Sequence, residues 1–276
     1  MTTKTSSDFS ANIALKPIQR PPLYWAFADA FVLAKRNLTQ IPRIPEELIF
    51  STIQPIMFVL LFRYVFGGAI KVQDTTYVNY LMAGIFAQTV IFGSTTTGIG
   101  LATDLQRGLV DRFRSLPMAK SAVLTGRTLS DLIRSTFVVT IMWCVGLLVG
   151  FRPAGNAFSW IAAIGLLLLT SFAFSWISAT IGMAVSTVEA AQSAGFIWLF
   201  PLTFASSAFV PLTSLSGWIK TFATYNPVTA IIDAVRGLLL NTADAGTIIK
   251  AFVYCFAILA VFIPLAVWTY GRRTAS

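Results

Sequence analysis

Apolar runs of roughly 20 residues recur along this chain, and short polar segments separate them. They cover residues 48–66, 77–101, 121–149, 157–185, 190–209 and 248–270. A helix of about 20 apolar residues is about 30 Å long, which matches the hydrocarbon thickness of a bilayer. The pattern therefore predicts an all-α integral membrane protein with six transmembrane helices.

Two segments precede the first predicted span. Residues 1–22 are polar and rich in Ser, Thr and Pro, which predicts a disordered cytoplasmic tail and no cleaved signal peptide. Residues 23–40 place Leu23, Phe27 and Phe31 at helical spacing, with basic residues near the far end. We expect an interfacial helix over 23–40, lying along the membrane surface.

A further short helix is predicted before the last span, within an outer segment at residues 211–240. Asn226 can cap this helix and Pro227 can occupy its first turn. The apolar stripe that follows is about 14 residues long, too short to cross a bilayer. We expect a re-entrant or extracellular helix, on which Asp233 and Arg236 lie one turn apart and form an ion pair.

The charges give a topology. Most of the 20 Lys and Arg residues fall on the side of the amino-terminal tail, including the loop at 102–120 and the end of the chain at 272–276. The positive-inside rule then places both termini in the cytoplasm. The formal net charge is +9, but the basic residues lie beside the spans and form no continuous stripe for nucleic acid.

The composition argues against an intramembrane enzyme. The chain contains no histidine, 11% of its residues are charged, and no acidic residue is expected deep inside a span. A lipid transferase or protease would need clustered acids or histidines, or a metal motif, at membrane depth. A membrane scaffold without transport activity is a third class that composition leaves open.

The loop after the second span has the pattern of an amphipathic helix over 103–118. Its apolar edge is Leu105, Leu109, Phe113 and Leu116, and its charged edge is Asp104, Arg107, Asp111 and Arg114. Two interpretations remain open from the pattern alone. The helix either only fixes topology through its positive charge, or docks into a groove of a cytoplasmic partner.

Two other groups of charged residues have a structural and a functional interpretation. Arg127, Asp131 and Arg134 follow helical spacing at the start of the third span, which favours an interfacial ion-pair ladder over a role in substrate entry. Ser186 and Glu189 match a capping box at the start of the fifth span, which is favoured over an ion site at Glu189.

Two blocks of the sequence resemble a known family. They are "DLQRGLVDRFRSLPMAKSAVLTGRTLSDLIR" at 104–134 and "FASSAFVPLTSLSGWIKTFATYNPVTAIIDAVRGLL" at 204–239. Both are similar to segments of ABC-2-type transporter permeases of the daunorubicin/doxorubicin-resistance kind. The resemblance implies one transmembrane domain over 23–271, the membrane subunit of an ATP-driven exporter located in the plasma (inner) membrane.

The same resemblance implies the partners. Two permease chains, as a homodimer, would pair with two copies of a separate ABC ATPase subunit. Coupling to that subunit would involve Leu105, Arg107, Leu109, Asp111, Arg112, Phe113 and Arg114. The sequence contains no G-x-x-x-x-G-K-[ST] phosphate loop, so ATP and Mg²⁺ would be bound by the partner, and the chain itself would be no enzyme.

The substrate pathway is the last expectation. An amphipathic substrate in contact with membrane lipid requires aromatic and small polar groups, which spans two and five supply. The candidates are Gln88, Thr95, Gln192, Phe196, Phe200 and Phe204. For any single one of them, ordinary helix packing is the favoured explanation. Drugs or lipid-like compounds are the expected substrates, and a polysaccharide or lipid-linked glycan is the alternative.

Overall fold

The computed structural model describes residues 45–70, 72, 75–108 and 120–273. The predicted tail at 1–22, the interfacial helix at 23–40 and most of the coupling helix at 103–118 lie outside these residues. In the part of the chain that is described, the regular structure is helical throughout and contains no strand. The all-α prediction is confirmed there.

Nine α-helices follow one another along the described chain. They are α1 (Pro45–Leu61), α2 (Tyr77–Gly93), α3 (Thr95–Gln106), α4 (Lys120–Val149), α5 (Ala157–Ala184), α6 (Val188–Phe204), α7 (Gly217–Tyr225), α8 (Pro227–Leu240) and α9 (Ala245–Arg273). A π-helical turn, Phe62–Phe66, extends α1, and a 3₁₀ turn, Leu212–Ser214, precedes α7. The predicted second span therefore consists of two helices, α2 and α3.

Four stretches in the described residues are long and apolar enough to cross a membrane: Tyr77–Gln106, Leu124–Val149, Ala157–Ala184 and Ala245–Arg272. The predicted first span contains the shorter apolar stretch Thr52–Phe66, and the predicted fifth span corresponds to α6, which has 17 residues. Stretches of this length lie at or just below the lower end of the usual transmembrane range. The count of six spans stays a prediction.

Helix α5 lies at the centre of the packing and contacts α2, α3, α4, α6, α8 and α9. Close approach depends on glycine where α5 crosses α3. A Cβ atom on Gly98 would collide with the Ser178 carbonyl, and one on Gly182 would collide with the Gly98 backbone. Small residues at helix contacts let two backbones come together without side chains between them.

Helix α8 confirms the short helix predicted in the outer segment. The Asn226 side chain accepts a hydrogen bond from Val228 N at 2.9 Å, and Pro227 occupies the first turn. Most of the apolar residues of α8 are buried, against α2, α5 and α9. Helix α7, which precedes α8, was not anticipated from the sequence.

The predicted capping box of the fifth span is wrong. Thr187, not Ser186, caps α6, because the Thr187 hydroxyl accepts from Ala190 N at 3.1 Å. Glu189 then falls in the first turn, where its negative charge is favourable beside the helix N-terminus. A choice between adjacent Ser and Thr depends on backbone angles that the sequence does not reveal.

Candidate functional site

A cavity of about 260 Å³ lies between α1, α2, α3, α4 and α6. Its polar lining residues include Gln54, Gln88, Thr89, Thr95, Thr96, Arg134 and Ser135. Three phenylalanines, Phe58, Phe92 and Phe196, line it as well. A cavity that joins aromatic faces to hydrogen-bonding groups suits a small amphipathic molecule or part of a larger one.

Eight phenylalanines form a connected series beside this cavity, here named the phenylalanine ladder. Its members are Phe58, Phe62 and Phe66 of the first span, Phe92 of α2, Phe196, Phe200 and Phe204 of α6, and Phe209. The spacing of four residues places each set of three on one helix face.

Ring contacts join the helices that contribute to the ladder. Phe200 lies 5.3 Å from Phe92 and 5.6 Å from Phe204, measured between ring centroids. Phe209 bridges to the first span, at 5.1 Å from Phe204 and 4.4 Å from Phe62. The ladder therefore forms a continuous aromatic surface that leads away from the cavity.

The cavity also touches the break between α2 and α3. Three successive hydroxyls there, those of Ser94, Thr95 and Thr96, each donate to the carbonyl three residues earlier, at 2.6, 2.7 and 2.8 Å. Thr97 N donates to the Ser94 carbonyl at 3.1 Å, one residue short of the regular helical partner. The "STTT" sequence thus replaces part of the backbone bonding with side chains.

Charged side chains of α4 contact this break. Asp131 and Arg134 are 6% and 5% exposed, and Arg134 Nε lies 3.5 Å from Asp131 Oδ1. Arg134 Nη2 donates to the Gly93 carbonyl at 2.5 Å and to the Thr96 hydroxyl at 2.6 Å. The predicted pair exists, but it is buried against another helix instead of exposed at an interface. Asp131 lies in the N-terminal part of the apolar stretch Leu124–Val149.

Asp131 and Arg127 complete the contacts. Asp131 accepts from the Thr97 hydroxyl and lies within 3.2 Å of the Thr96 hydroxyl. Arg127 Nη2 donates to the Thr96 carbonyl at 3.3 Å. A Cβ atom on Gly100 would collide with the Arg127 guanidinium, so glycine at this position leaves room for the arginine. Three charged residues of α4, spaced along one face, therefore all reach the first turns of α3.

A second polar cluster ties α8 to α2. Arg236 Nη1 lies 2.6 Å from Asp233 Oδ1, which confirms the predicted pair. The same guanidinium lies 3.7 Å from the centroid of the Tyr80 ring and donates to the Ser207 carbonyl at 2.7 Å. These contacts fasten α8 to α2 and to the turn after α6, and so hold the end of the ladder at Phe209 in place.

The predicted pathway residues are brought together in part. Gln88, Thr95 and Phe196 line the cavity, whereas Phe200 and Phe204 belong to the ladder. Gln192 is exposed, one turn before Phe196, and is outside the cavity lining. Their role in transport is a prediction that geometry alone does not test.

Most of the predicted coupling residues fall outside the described residues. Leu109, Asp111, Arg112, Phe113 and Arg114 belong to the segment between α3 and α4 for which no structure is described. Leu105 packs partly buried against the core, and Arg107 is exposed at the end of α3. The docking interpretation therefore stays a prediction.

Sequence reasoning missed Gln54, Phe58, Phe92 and the contacts of Arg134. The recurrence of phenylalanine at 58, 62 and 66 was a signal for one face of the first span. Nothing in the spacing shows which other helix that face meets. Likewise, the repeat of Arg127, Asp131 and Arg134 identifies a face of α4 but not the partner against which it is buried.

Comparison with known proteins yields a family match and close relatives. The sequence pattern of the family described as ABC-2 type transporter matches residues 29–240. A daunorubicin resistance ABC transporter permease of Streptomyces coeruleorubidus is 31% identical, over 93% of this chain and 91% of its own length. A probable doxorubicin resistance ABC transporter permease of Mycobacterium tuberculosis is 25% identical, over 100% of this chain and 99% of its own.

Proposed function

Because this chain belongs to the ABC-2 type transporter family, we propose that it is the membrane subunit of an ATP-driven exporter for amphipathic drugs or lipid-like compounds. ATP hydrolysis takes place in a separate subunit, which binds ATP and Mg²⁺. The sequence supports this division, because it contains no phosphate loop of its own. The resistance proteins that it resembles are named for daunorubicin and doxorubicin.

The observation that carries the proposal is the cavity with the phenylalanine ladder beside it. Aromatic rings of a substrate gain stacking contacts of about 0.5–1.5 kcal/mol each beyond the area they bury. The hydroxyl and amide groups of Thr95, Thr96 and Gln88 supply hydrogen bonds for the polar part of the same molecule. A substrate that passes along the ladder exchanges one aromatic contact for the next, so no single site holds it too tightly to leave.

The assembly follows from the same proposal. Two copies of this chain pair in the plasma (inner) membrane with two copies of the ATPase subunit, and both termini are cytoplasmic. Helices α1 and α6 count as spans one and five, which gives six. The π-helical turn after α1 lengthens the first of these two helices toward the thickness that crossing requires.

Uptake into inside-out membrane vesicles tests the proposal. Vesicles from cells that express this chain with its ATPase subunit are expected to accumulate daunorubicin when ATP is supplied, and not with a non-hydrolysable ATP analogue. A lipid-linked oligosaccharide, supplied in parallel, tests the alternative substrate class. ATP-dependent uptake of the glycan alone would overturn the drug assignment, and uptake of neither compound would count against both.

A further inference from the structure

We propose that Arg127, Asp131 and Arg134 form a clamp that fastens α3 to α4, so that the two helices move as one body about Ser94 and reshape the cavity. The proposal deepens the proposed function and rests on it. It assigns the three residues as positioning residues for transport, which act through α3 and not by contact with ATP.

The first step is the position of the clamp. Helix α3 ends at Gln106 and α4 begins at Lys120, so the two helices flank the segment that the sequence predicts to dock on the ATPase subunit. Any displacement of that segment acts on the ends of both helices. Without a cross-connection, α3 and α4 would respond separately, and part of the displacement would be lost as relative sliding.

The second step is the strength of the connection. Arg134 donates to the Thr96 hydroxyl, Asp131 accepts from the Thr97 hydroxyl, and Arg127 reaches the Thr96 carbonyl. Arg134 also donates to the carbonyl of Gly93, which ends α2 directly beside the pivot at Ser94. Hydrogen bonds that involve a charged group are about twice as strong as neutral ones, and burial strengthens them further. The contact of α3 with α5 is of another kind, because the glycine backbones at Gly98 and Gly182 meet without interlocking side chains. Helix α3 packs on α5 more extensively than on α4, and at the pivot the Ser94 and Ser178 hydroxyls lie 3.3 Å apart. We therefore expect α3 to slide along α5 at the glycine contact while the charged bonds carry it with α4.

The third step is the place where the body bends. Helix α2 ends at Gly93, and the regular bonding pattern is interrupted at Ser94. On the N-terminal side of Ser94, α2 is held to the turn after α6, because the Tyr77 and Tyr80 hydroxyls donate to the Phe209 and Ser207 carbonyls at 3.1 and 2.9 Å. Breaks in the helical bonding ladder are where helices kink, and a break between a fixed part and a clamped part is a natural hinge.

The fourth step links the hinge to the cavity. Thr95 and Thr96 of α3 line the cavity, and so does Arg134 of the clamp itself. Rotation of α3 about Ser94 moves these residues relative to Phe92 and Phe196, which line the same space. Movement at the cytoplasmic end is thus converted into a change of cavity shape.

Thr97 provides the sharpest test, because it belongs to the connection and lies outside the cavity lining. Its hydroxyl donates to Asp131 Oδ2, and its side chain is fully buried. Thr97→Val keeps the shape and removes this bond, whereas Thr97→Ser keeps the hydroxyl. Thr170→Val is the matched control, since Thr170 is equally buried, its hydroxyl donates to Leu166 O of its own helix at 2.8 Å, and the same oxygen lies 3.7 Å from Cys255 Sγ of α9, away from α4.

The experiment measures the amount of daunorubicin taken up per ATP hydrolysed by vesicles that contain the complete complex. In Thr97→Val this ratio is expected to fall by about fivefold to tenfold, in the range that changes along coupling networks produce. Binding of the ATPase subunit, measured by co-purification, and the unfolding temperature are expected to stay near those of Thr170→Val. Thr97→Ser and Thr170→Val are expected to keep the wild-type ratio.

A second variant, Asp131→Asn, removes the charge that pairs with Arg134 and is expected to lower the ratio at least as much. Should Asp131→Asn fail to assemble, the three threonine variants decide the question alone. A wild-type ratio in a folded Thr97→Val complex would overturn the clamp but leave the exporter intact. No ATP-dependent uptake by the wild-type complex would instead contradict the proposed function, and the clamp with it.

Discussion

Asn226 is the residue on which the C-terminal end of α6 and the start of α8 both depend. Its Nδ2 donates to the Leu202 carbonyl at 2.6 Å and to the Ala205 carbonyl at 2.9 Å, and its Oδ1 caps α8. The carbonyls at the end of α6 would otherwise lack helical partners. One buried side chain thus satisfies two helix ends, which explains an asparagine that is only 3% exposed.

Asn226→Ala should therefore lower the free energy of unfolding by more than the loss of a helix cap alone. Two carbonyls lose their donor in addition to the cap, so the free energy of unfolding is expected to fall by about 3 kcal/mol. Asn156→Ala is the matched control, because exposed Asn156 caps α5 by accepting from Ser159 N, and about 1 kcal/mol is expected there. Denaturant titration in mixed micelles compares the two, and equal losses would contradict the double role.

Arg236 gives a second prediction for a single residue. Arg236→Lys keeps a positive charge near Asp233 but cannot hold Asp233, the Ser207 carbonyl and the Tyr80 ring at once. A loss of about 2 kcal/mol in the free energy of unfolding is expected. Arg152→Lys, at an exposed arginine, should change stability by less than about 0.5 kcal/mol. A neutral Arg236→Lys would mean that charge alone matters at this site.

Among the helices, the boundaries of α4 and α5 could be read from the sequence almost to the residue. Polar turns at both ends of these spans leave few alternatives, and Asn156 marks the start of α5 as an N-cap. The break at Ser94 could not be read in this way. Hydroxyl residues inside an apolar run are compatible with a continuous helix, and only the bonds of Ser94 to Thr96 show that the ladder is interrupted.

The site was less predictable than the helices for the same reason. Helical spacing identifies a face on one helix, as it did for Phe196, Phe200 and Phe204, but the facing helix is set by packing distant in sequence. The burial of Asp131 and Arg134 depends on α3 lying beside them. From the sequence, two charged residues at this position favour a membrane interface. Only the folded chain brings the hydroxyls of Thr96 and Thr97 within hydrogen-bonding distance of them.

The packing of α3 on α5 gives a prediction for these two elements. Gly98→Ala places a methyl group into the Ser178 carbonyl, so a loss of about 1–3 kcal/mol in the free energy of unfolding is expected. Gly165→Ala on α5 meets no atom within 4 Å, and a neutral or slightly stabilising effect is expected there. The same micelle titration measures both, and a neutral Gly98→Ala would show that the helices are further apart.

At the scale of the whole molecule, the cavity, the phenylalanine ladder and the break at Ser94 occupy one continuous region. The ladder starts at the cavity through Phe92 and Phe196 and ends at Phe66, after contacts through Phe209. The polar cluster around Arg236 fixes one end of this region, and the bonds of Arg134 and Asp131 to α3 hold the other. Such an arrangement places a deformable cavity next to a fixed aromatic surface.

Phe200→Ala tests whether the aromatic surface serves transport. Removing this ring interrupts the ladder between Phe196 and Phe204, so ATP-dependent uptake of daunorubicin is expected to fall by about twofold to tenfold, the equivalent of one stacking contact. Phe256→Ala is the control, since Phe256 is also exposed and stacks on a phenylalanine one turn away, in α9. Equal uptake by the two variants would remove the ladder from the pathway.

The most direct test of the account is affinity purification of this chain from its native membranes in mild detergent, followed by mass spectrometry and an ATPase assay. We expect a stoichiometric partner that carries a phosphate loop to co-purify with the chain, and we expect the ATPase activity to depend on both chains. A chain that is recovered alone and inactive from several mild detergents would contradict the proposal of a membrane subunit driven by a separate ATPase.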